Sequence, residues 1–180
     1  MLIHLYGEFW NPDVIEWGSR GKGNKGKLLG KTRIKFKAGG KLKERVEEVD
    51  FWDARGVYAL YDNFQLVYVG QAIEGKVGCL GKRLRDHLTD LFAGRWDMFS
   101  WFSTSSLRRK KVRLPGQRQV SPSEIIDTLE AFAILLATPP LNRKYNHMPK
   151  AREVEQKKSP HPQTVRHYLE TILQRLPEDL

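Results

Sequence analysis

One cysteine, Cys79, stands among 180 residues, which excludes an internal disulfide framework and any zinc site built on several thiolates. No apolar run approaches the roughly 18 residues that a bilayer-crossing helix needs. The opening Met1-Leu-Ile-His-Leu-Tyr-Gly-Glu8 has neither a basic n-region nor a long apolar stretch, so no signal peptide is expected. These absences predict a cytoplasmic protein with no membrane partner. Negative charge is missing from two stretches, Trp17 to Lys43 and Met98 to Ser123.

What is present is a 40% hydrophobic fraction, enough for a core, and 31 Lys plus Arg against 21 Asp plus Glu, a net charge of +10. A surface this basic attracts polyanions, nucleic acid first among them. The first acid-free stretch carries Arg20, Lys22, Lys25, Lys27, Lys31, Arg33, Lys35, Lys37, Lys41 and Lys43. Its glycine-rich part, Gly21–Lys27, reads as a loop, and Lys31-Thr-Arg-Ile-Lys-Phe-Lys37 alternates as a strand with a cationic face. The second stretch holds Arg108, Arg109, Lys110, Lys111, Arg113 and Arg118. Each is a candidate phosphate contact, or else a solvated loop.

The middle of the chain reads as a hairpin. Gly56-Val-Tyr-Ala-Leu-Tyr61 and Leu66-Val-Tyr-Val-Gly70 are aromatic and β-branched runs, with turn chemistry at Asp62-Asn63 between them. A three-residue loop, Asp62 to Phe64, would set Tyr58 opposite Tyr68 on one face, and a two-residue loop would put them on opposite faces. The expectation is the former. Apolar residues at 80, 84, 88 and 91 predict a helix over Leu80–Phe92, and Trp96–Phe102 reads as a third strand. Ser121-Pro-Ser-Glu124 is a capping box that starts a helix ending at Pro139-Pro140. Val165, Tyr168, Leu169, Ile172, Leu173 and Leu176 predict an amphipathic C-terminal helix, either core cover or a dimer contact.

Three groups could carry chemistry. Tyr58 and Tyr68 each lie near a glycine at a strand end, where tyrosines are mostly structural. Arg83 and His87, four apart, share one side of a helix: a guanidinium that can grip phosphate and an imidazole that can move protons, or an ordinary polar edge. Glu130 precedes Ala131-Phe-Ala-Ile-Leu-Leu-Ala137. A carboxylate in such surroundings is expected to be desolvated and compensated by a cation or donor; Mg²⁺ is one answer, an arginine or an exposed helix edge the other.

Taken together, Gly56-Val57-Tyr58, Tyr68-Val69-Gly70, Arg83, His87, Glu130 and Asn142 occur in the order and spacing of the GIY-YIG nucleases, a family that the chain resembles over a little more than half its length. Both isoleucines of the family name are valine here, and Asn146 lies close to Asn142. The resemblance implies an α+β fold, a small antiparallel sheet of about three strands flanked by helices. It divides the chain into a basic N-terminal extension (1–50, the candidate nucleic-acid-binding part), a nuclease core (51–146) and a C-terminal helical extension (147–180).

The same resemblance implies a metal-dependent endonuclease. Glu130 would bind one Mg²⁺ or Mn²⁺ ion, Tyr58 would activate water as base or relay, and Arg83 would stabilise the transition-state charge. His87 would orient or deprotonate the nucleophile system, Tyr68 would position it, and Asn142 would brace the site. A tyrosine base is unattractive at its ordinary pKa of about 10. The products would carry 5′-phosphate and 3′-hydroxyl ends. The expected partner is double-stranded DNA, with RNA left open, and cutting both strands favours a homodimer on the substrate. Restriction, defence or mobile-element biology is the expected setting. The alternative is a nucleic-acid-binding module that kept the fold without catalysis.

Overall fold

The computed structural model describes residues 1–19, 25–73, 78–108, 111–114, 116, 119–137, 141, 148 and 150–157. In chain order they form β1 (Leu5–Trp10), β2 (Glu16–Gly18), β3 (Lys25–Lys27), β4 (Leu29–Ala38), β5 (Lys41–Asp50), β6 (Gly56–Asp62) and β7 (Gln65–Ala72). Then follow α1 (Leu80–Asp86), β8 (Met98–Ser103), β9 (Ser106–Arg108), β10 (Lys111–Arg113), α2 (Pro122–Ala137), β11 (Arg152–Glu153) and β12 (Glu155–Gln156).

The small three-stranded sheet flanked by helices is not what forms. The central sheet has five strands in the order β11-β1-β8-β6-β7, beside a three-stranded sheet β12-β4-β5 and two small ribbons, β2-β3 and β9-β10. The described residues are therefore mostly β, with two helices. The hairpin β6–β7 and the third strand β8 are present as expected. The sheet grows because β8, itself buried throughout, would otherwise expose an edge of unpaired backbone groups; β1 pairs with it antiparallel and β11 adds parallel to β1. Segments placed outside the core by sequence thus supply two central strands. The acid-free run Lys31–Lys37 does form a strand, in β4, hairpinned to β5 through the Gly39-Gly40 turn, where both glycines take positive φ.

The sheet buries both faces along β1, β8 and β6, while edge strand β7 leaves Val67 and Val69 exposed. Tyr58, Leu60, Phe99 and Trp101 pack on one side with Leu80 and Leu84 of α1 and with Trp10, Phe51 and Trp52. Trp10 meets Trp101 edge-on at 5.5 Å, an arrangement of aromatic pairs worth about 0.5–1.5 kcal/mol beyond its buried area. On the other side, Tyr6 and Phe102 pack against Ala131 and Leu135 of α2, and Ala59, Tyr61 and Met98 against Leu136. The two helices therefore cover opposite faces.

Helix α1 is shorter than its apolar spacing predicts. It ends at Asp86 with His87 as its C-cap, and 87–94 continue as turns. The Ser121 cap is made: its hydroxyl accepts from the Glu124 amide at 3.2 Å, while the Glu124 carboxylate pairs with the N-terminal amine at 2.6 Å. The apolar-spaced segment 165–176 lies outside the described residues. No helix among the described residues is long and apolar enough to cross a membrane.

Candidate active site

The hairpin brings the two tyrosines together by neither of the expected registers. Its turn has two residues, Asn63 and Phe64, both at positive φ. Left alone, that register would send Tyr58 and Tyr68 to opposite faces. A bulge corrects it: Leu60 pairs with Tyr68 but Tyr61 with Leu66, so Val67 is the extra residue. Tyr58 faces Gly70, and Tyr68 sits diagonally across on the same face, ring centroids 6.2 Å apart. Gly70 is required there, since a Cβ would lie 2.4 Å from the Tyr58 ring and hydroxyl.

Helix α1 supplies the other side. Tyr58 Oη lies 2.6 Å from His87 Nε2, and His87 Nδ1 lies 2.7 Å from the Asp90 carboxylate. An ionised carboxylate only accepts, so Nδ1 carries the proton and donates to Asp90, leaving Nε2 to accept from the Tyr58 hydroxyl. The result is a Tyr58–His87–Asp90 hydrogen-bonded chain, with Tyr58 and His87 almost wholly buried. Phe92 packs edge-on to His87 at 5.0 Å and against Tyr68 at 4.5 Å, which fixes the imidazole plane. Its amide also donates to Asp90 at 2.9 Å.

The electrostatics separate the roles. Burial pushes the Tyr58 hydroxyl up to about 12, the Arg83 charge and hydrogen bond pull the other way, and Tyr68 adds to the rise. Tyr58 is thus a held proton rather than a phenolate. Desolvation is the largest single influence on Asp90 and opposes its ionisation, but the Phe92 amide, His87 and Arg83 together outweigh it and hold the carboxyl below its ordinary range. Arg83 is half-buried, and its Nε is buried without a hydrogen-bond partner.

Tyr58, Tyr68, Arg83 and His87 therefore converge; Glu130 does not join them. It is exposed on α2, the helix that covers the face opposite Tyr58. The expected desolvated setting is also corrected: Ala131, Ile134 and Leu135 turn toward the sheet, which rotates Glu130 into solvent. Asn142 and Asn146 lie outside the described residues. Among the described residues no group of three or more His, Cys, Asp or Glu side chains is placed to hold a metal ion. The donors around Tyr58 are phenol, imidazole and guanidinium with one engaged carboxylate, which does not fit a hard divalent cation. Asp90 was not singled out from sequence; the available signal was its place three residues after His87.

The candidate phosphate contacts are dispersed. Lys31, Arg33, Lys35 and Lys37 line one face of β4 as expected, but that face also carries Glu44 and Glu48 of β5, and Lys35 pairs with Glu44 at 3.3 Å. Lys25 and Lys27 pair with Asp53 and Glu16. Lys111 and Arg113 are exposed on β10, whereas Lys22, Arg109, Lys110, Arg118 and the Arg108 side chain lie outside the described set. Comparison with protein-family models, curated proteins and solved structures returned no match to this chain.

Proposed function

We propose that the chain is an endonuclease that hydrolyses phosphodiester bonds in nucleic acid, with DNA the preferred substrate and chemistry at Tyr58, Arg83 and His87. The single observation that supports this most is the Tyr58–His87–Asp90 chain with Arg83 beside it. A tyrosine held near pKa 12 is a poor free base. As a relay it never needs to stand as an isolated phenolate: water gives a proton to Tyr58 Oη while Tyr58 passes its own to His87 Nε2. The Asp90 carboxylate then stabilises the resulting imidazolium. Arg83, half-buried beside Tyr58, would take the negative charge growing on phosphate oxygens. Substrate approaches at Tyr68 and Arg83, which are half-buried where Tyr58 and His87 are almost wholly buried.

The resemblance to GIY-YIG nucleases adds a requirement for Mg²⁺ or Mn²⁺, which would supply Lewis-acid stabilisation of the phosphate and the leaving oxygen. Glu130 as placed does not fit that role, so no step above passes through the ion. The test is plasmid cleavage with Mg²⁺ or Mn²⁺ beside Tyr58→Phe, Arg83→Ala and an EDTA control. Cleavage by the wild type that both variants lose is the expected result. Wild type that cuts neither DNA nor RNA with either metal would sink it.

A second reading rests on a specific observation: the near-complete burial of Tyr58 and His87 and the exposure of Glu130 on the far side suit a module that binds nucleic acid without cutting it. In that case the Tyr58–His87–Asp90 chain is a structural polar network, and Tyr58→Phe lowers stability while binding persists.

A further inference from the structure

The face of β4 that carries Arg33 and Lys35 is exposed, as are Glu44 and Val46 opposite them on β5, and it is the side of an open cleft. It forms one wall of a cavity of about 610 Å³ whose other wall is Lys150, Ala151 and Arg152, with His4, Leu5 and Leu107 at the floor. A neighbouring cavity of about 600 Å³ shares Arg33, Ala151 and Arg152 and continues toward Lys31. The two make one trough with Arg33 and Arg152 at its middle. Cations dominate the first part, where the only carboxylate is Glu44, already paired with Lys35. Lys150 reaches Asp127 at a long 3.9 Å. Arg33 and Arg152 have no carboxylate partner among the described residues. Glu153 and Glu155 line the far part and mark where an anion is not held.

We propose that this trough is a phosphodiester-binding groove for a nucleic-acid strand, gripped by the guanidinium forks of Arg33 and Arg152. Two planar donor forks facing one cleft suit phosphate oxygens better than point charges do. Register ties the groove to the candidate site. Arg152 pairs with Leu5, Leu5 with Ser103, and Ser103 with Gly56, two residues from Tyr58 on the same strand. Arg152 and Tyr58 therefore stand on one face of the central sheet, three strand spacings across and two residues along, or about 16 Å apart. The proposal rests on the nucleic-acid part of the function above and names a contact surface for it. The basic composition of 1–50 pointed to β4; Arg152, from the far end of the chain, is supplied only by the fold.

The experiment is binding of a fluorescein-labelled DNA oligonucleotide, single- and double-stranded, followed by anisotropy in EDTA over a range of salt. Arg33→Ala/Arg152→Ala is compared with Lys41→Ala/Lys43→Ala, which removes the same charge from the other face of the hairpin. The first pair is expected to weaken binding about ten-fold or more and to reduce the log K against log salt slope by about two; the second stays within about two-fold of wild type. Equal losses from both pairs, wild-type binding by the arginine pair, or no binding by wild type would each overturn the proposal. Failure of the nuclease reading looks different: wild type then binds through the arginines in EDTA yet cleaves nothing when metal is added.

Discussion

Tyr58 Oη and His87 Nε2 stand 2.6 Å apart across a boundary between two elements, one side chain from the first strand of a hairpin and the other from the cap of a helix of about two turns. Neither residue reaches the other without the packing of α1 on the sheet through Leu80 and Leu84. If Tyr58 relays the water proton to His87, Tyr58→Phe keeps the ring and loses only the relay. Cleavage is expected to fall about 10²- to 10⁴-fold with DNA binding unchanged, read by plasmid nicking beside the anisotropy assay. Equal cleavage by Phe would remove Tyr58 from the chemistry.

Asp90 acts through His87 and is a positioning residue. Asp90→Asn takes away the charge that stabilises the imidazolium and lets the imidazole adopt the other tautomer, with Nε2 no longer accepting. kcat is expected to fall with KM little changed. Asp90→Glu, which keeps the charge, is expected to restore part of the loss. Equal losses in kcat from Asp90→Asn and Asp90→Glu would argue for a purely structural Asp90.

Gly70 leaves the room that Tyr58 occupies. Gly70→Ala drives a methyl into the Tyr58 ring and hydroxyl, and overpacking of this kind costs about 1–3 kcal/mol. Urea denaturation is the readout, with cleavage expected to fall as well, because Tyr58 must shift from His87. Wild-type stability would mean that the hairpin absorbs the methyl by a backbone movement.

Glu130 is exposed on α2, and its removal leaves no cavity or orphaned partner in the core. Glu130→Ala is expected to change stability by no more than about 0.5 kcal/mol. Cleavage is expected to stay near wild type, because α2 covers the face opposite Tyr58; a large loss of cleavage with stability unchanged would put Glu130 in the chemistry after all.

A titration lies on the other face of the sheet. Burial, with the Glu153 charge adding to it, pushes Glu8 from an ordinary 4.5 up to about 7. The folded chain holds this proton more tightly than the unfolded chain, so its stabilisation is complete below about pH 4.5, declines as pH rises, and is gone above about pH 7. Urea midpoints measured from pH 5 to 8 are expected to fall with pH in wild type and to change less in Glu8→Gln. Parallel curves for the two proteins would exclude Glu8 as the source.

How much of this was legible in the sequence differs from residue to residue. The alternation in Gly56–Tyr61 and Leu66–Gly70, the cationic strand and the Ser121 cap follow from local periodicity and from a side chain bonding its own helix, and the structure contains all of them. The hairpin and the helix after it are short-range units, but by themselves they left Tyr58, Tyr68, Arg83 and His87 reading as structural; the resemblance to GIY-YIG nucleases singled the four out together. The end of α1 was misjudged: Leu88 and Leu91 keep the apolar spacing, but His87 and Asp90 bond Tyr58 and the Phe92 amide instead of continuing the helix.

Tertiary structure alone decided the rest. The bulge at Val67 reverses the face that the turn length predicts, and a one-residue register change has no signature in alternating hydrophobicity. The fourth and fifth strands of the central sheet come from residues 5–10 and 152–153, nearly the whole chain apart, and pairing over such a separation depends on which edge is left open rather than on local pattern. The solvent-facing Glu130 follows from which stripe of an apolar helix meets the sheet, a choice that a helix hydrophobic over most of its circumference leaves to its neighbours. Charge composition by itself raised the expectation of a polyanionic partner. Only the fold set Arg33 against Arg152, because side chains separated by more than a hundred residues become one surface only when strands pair.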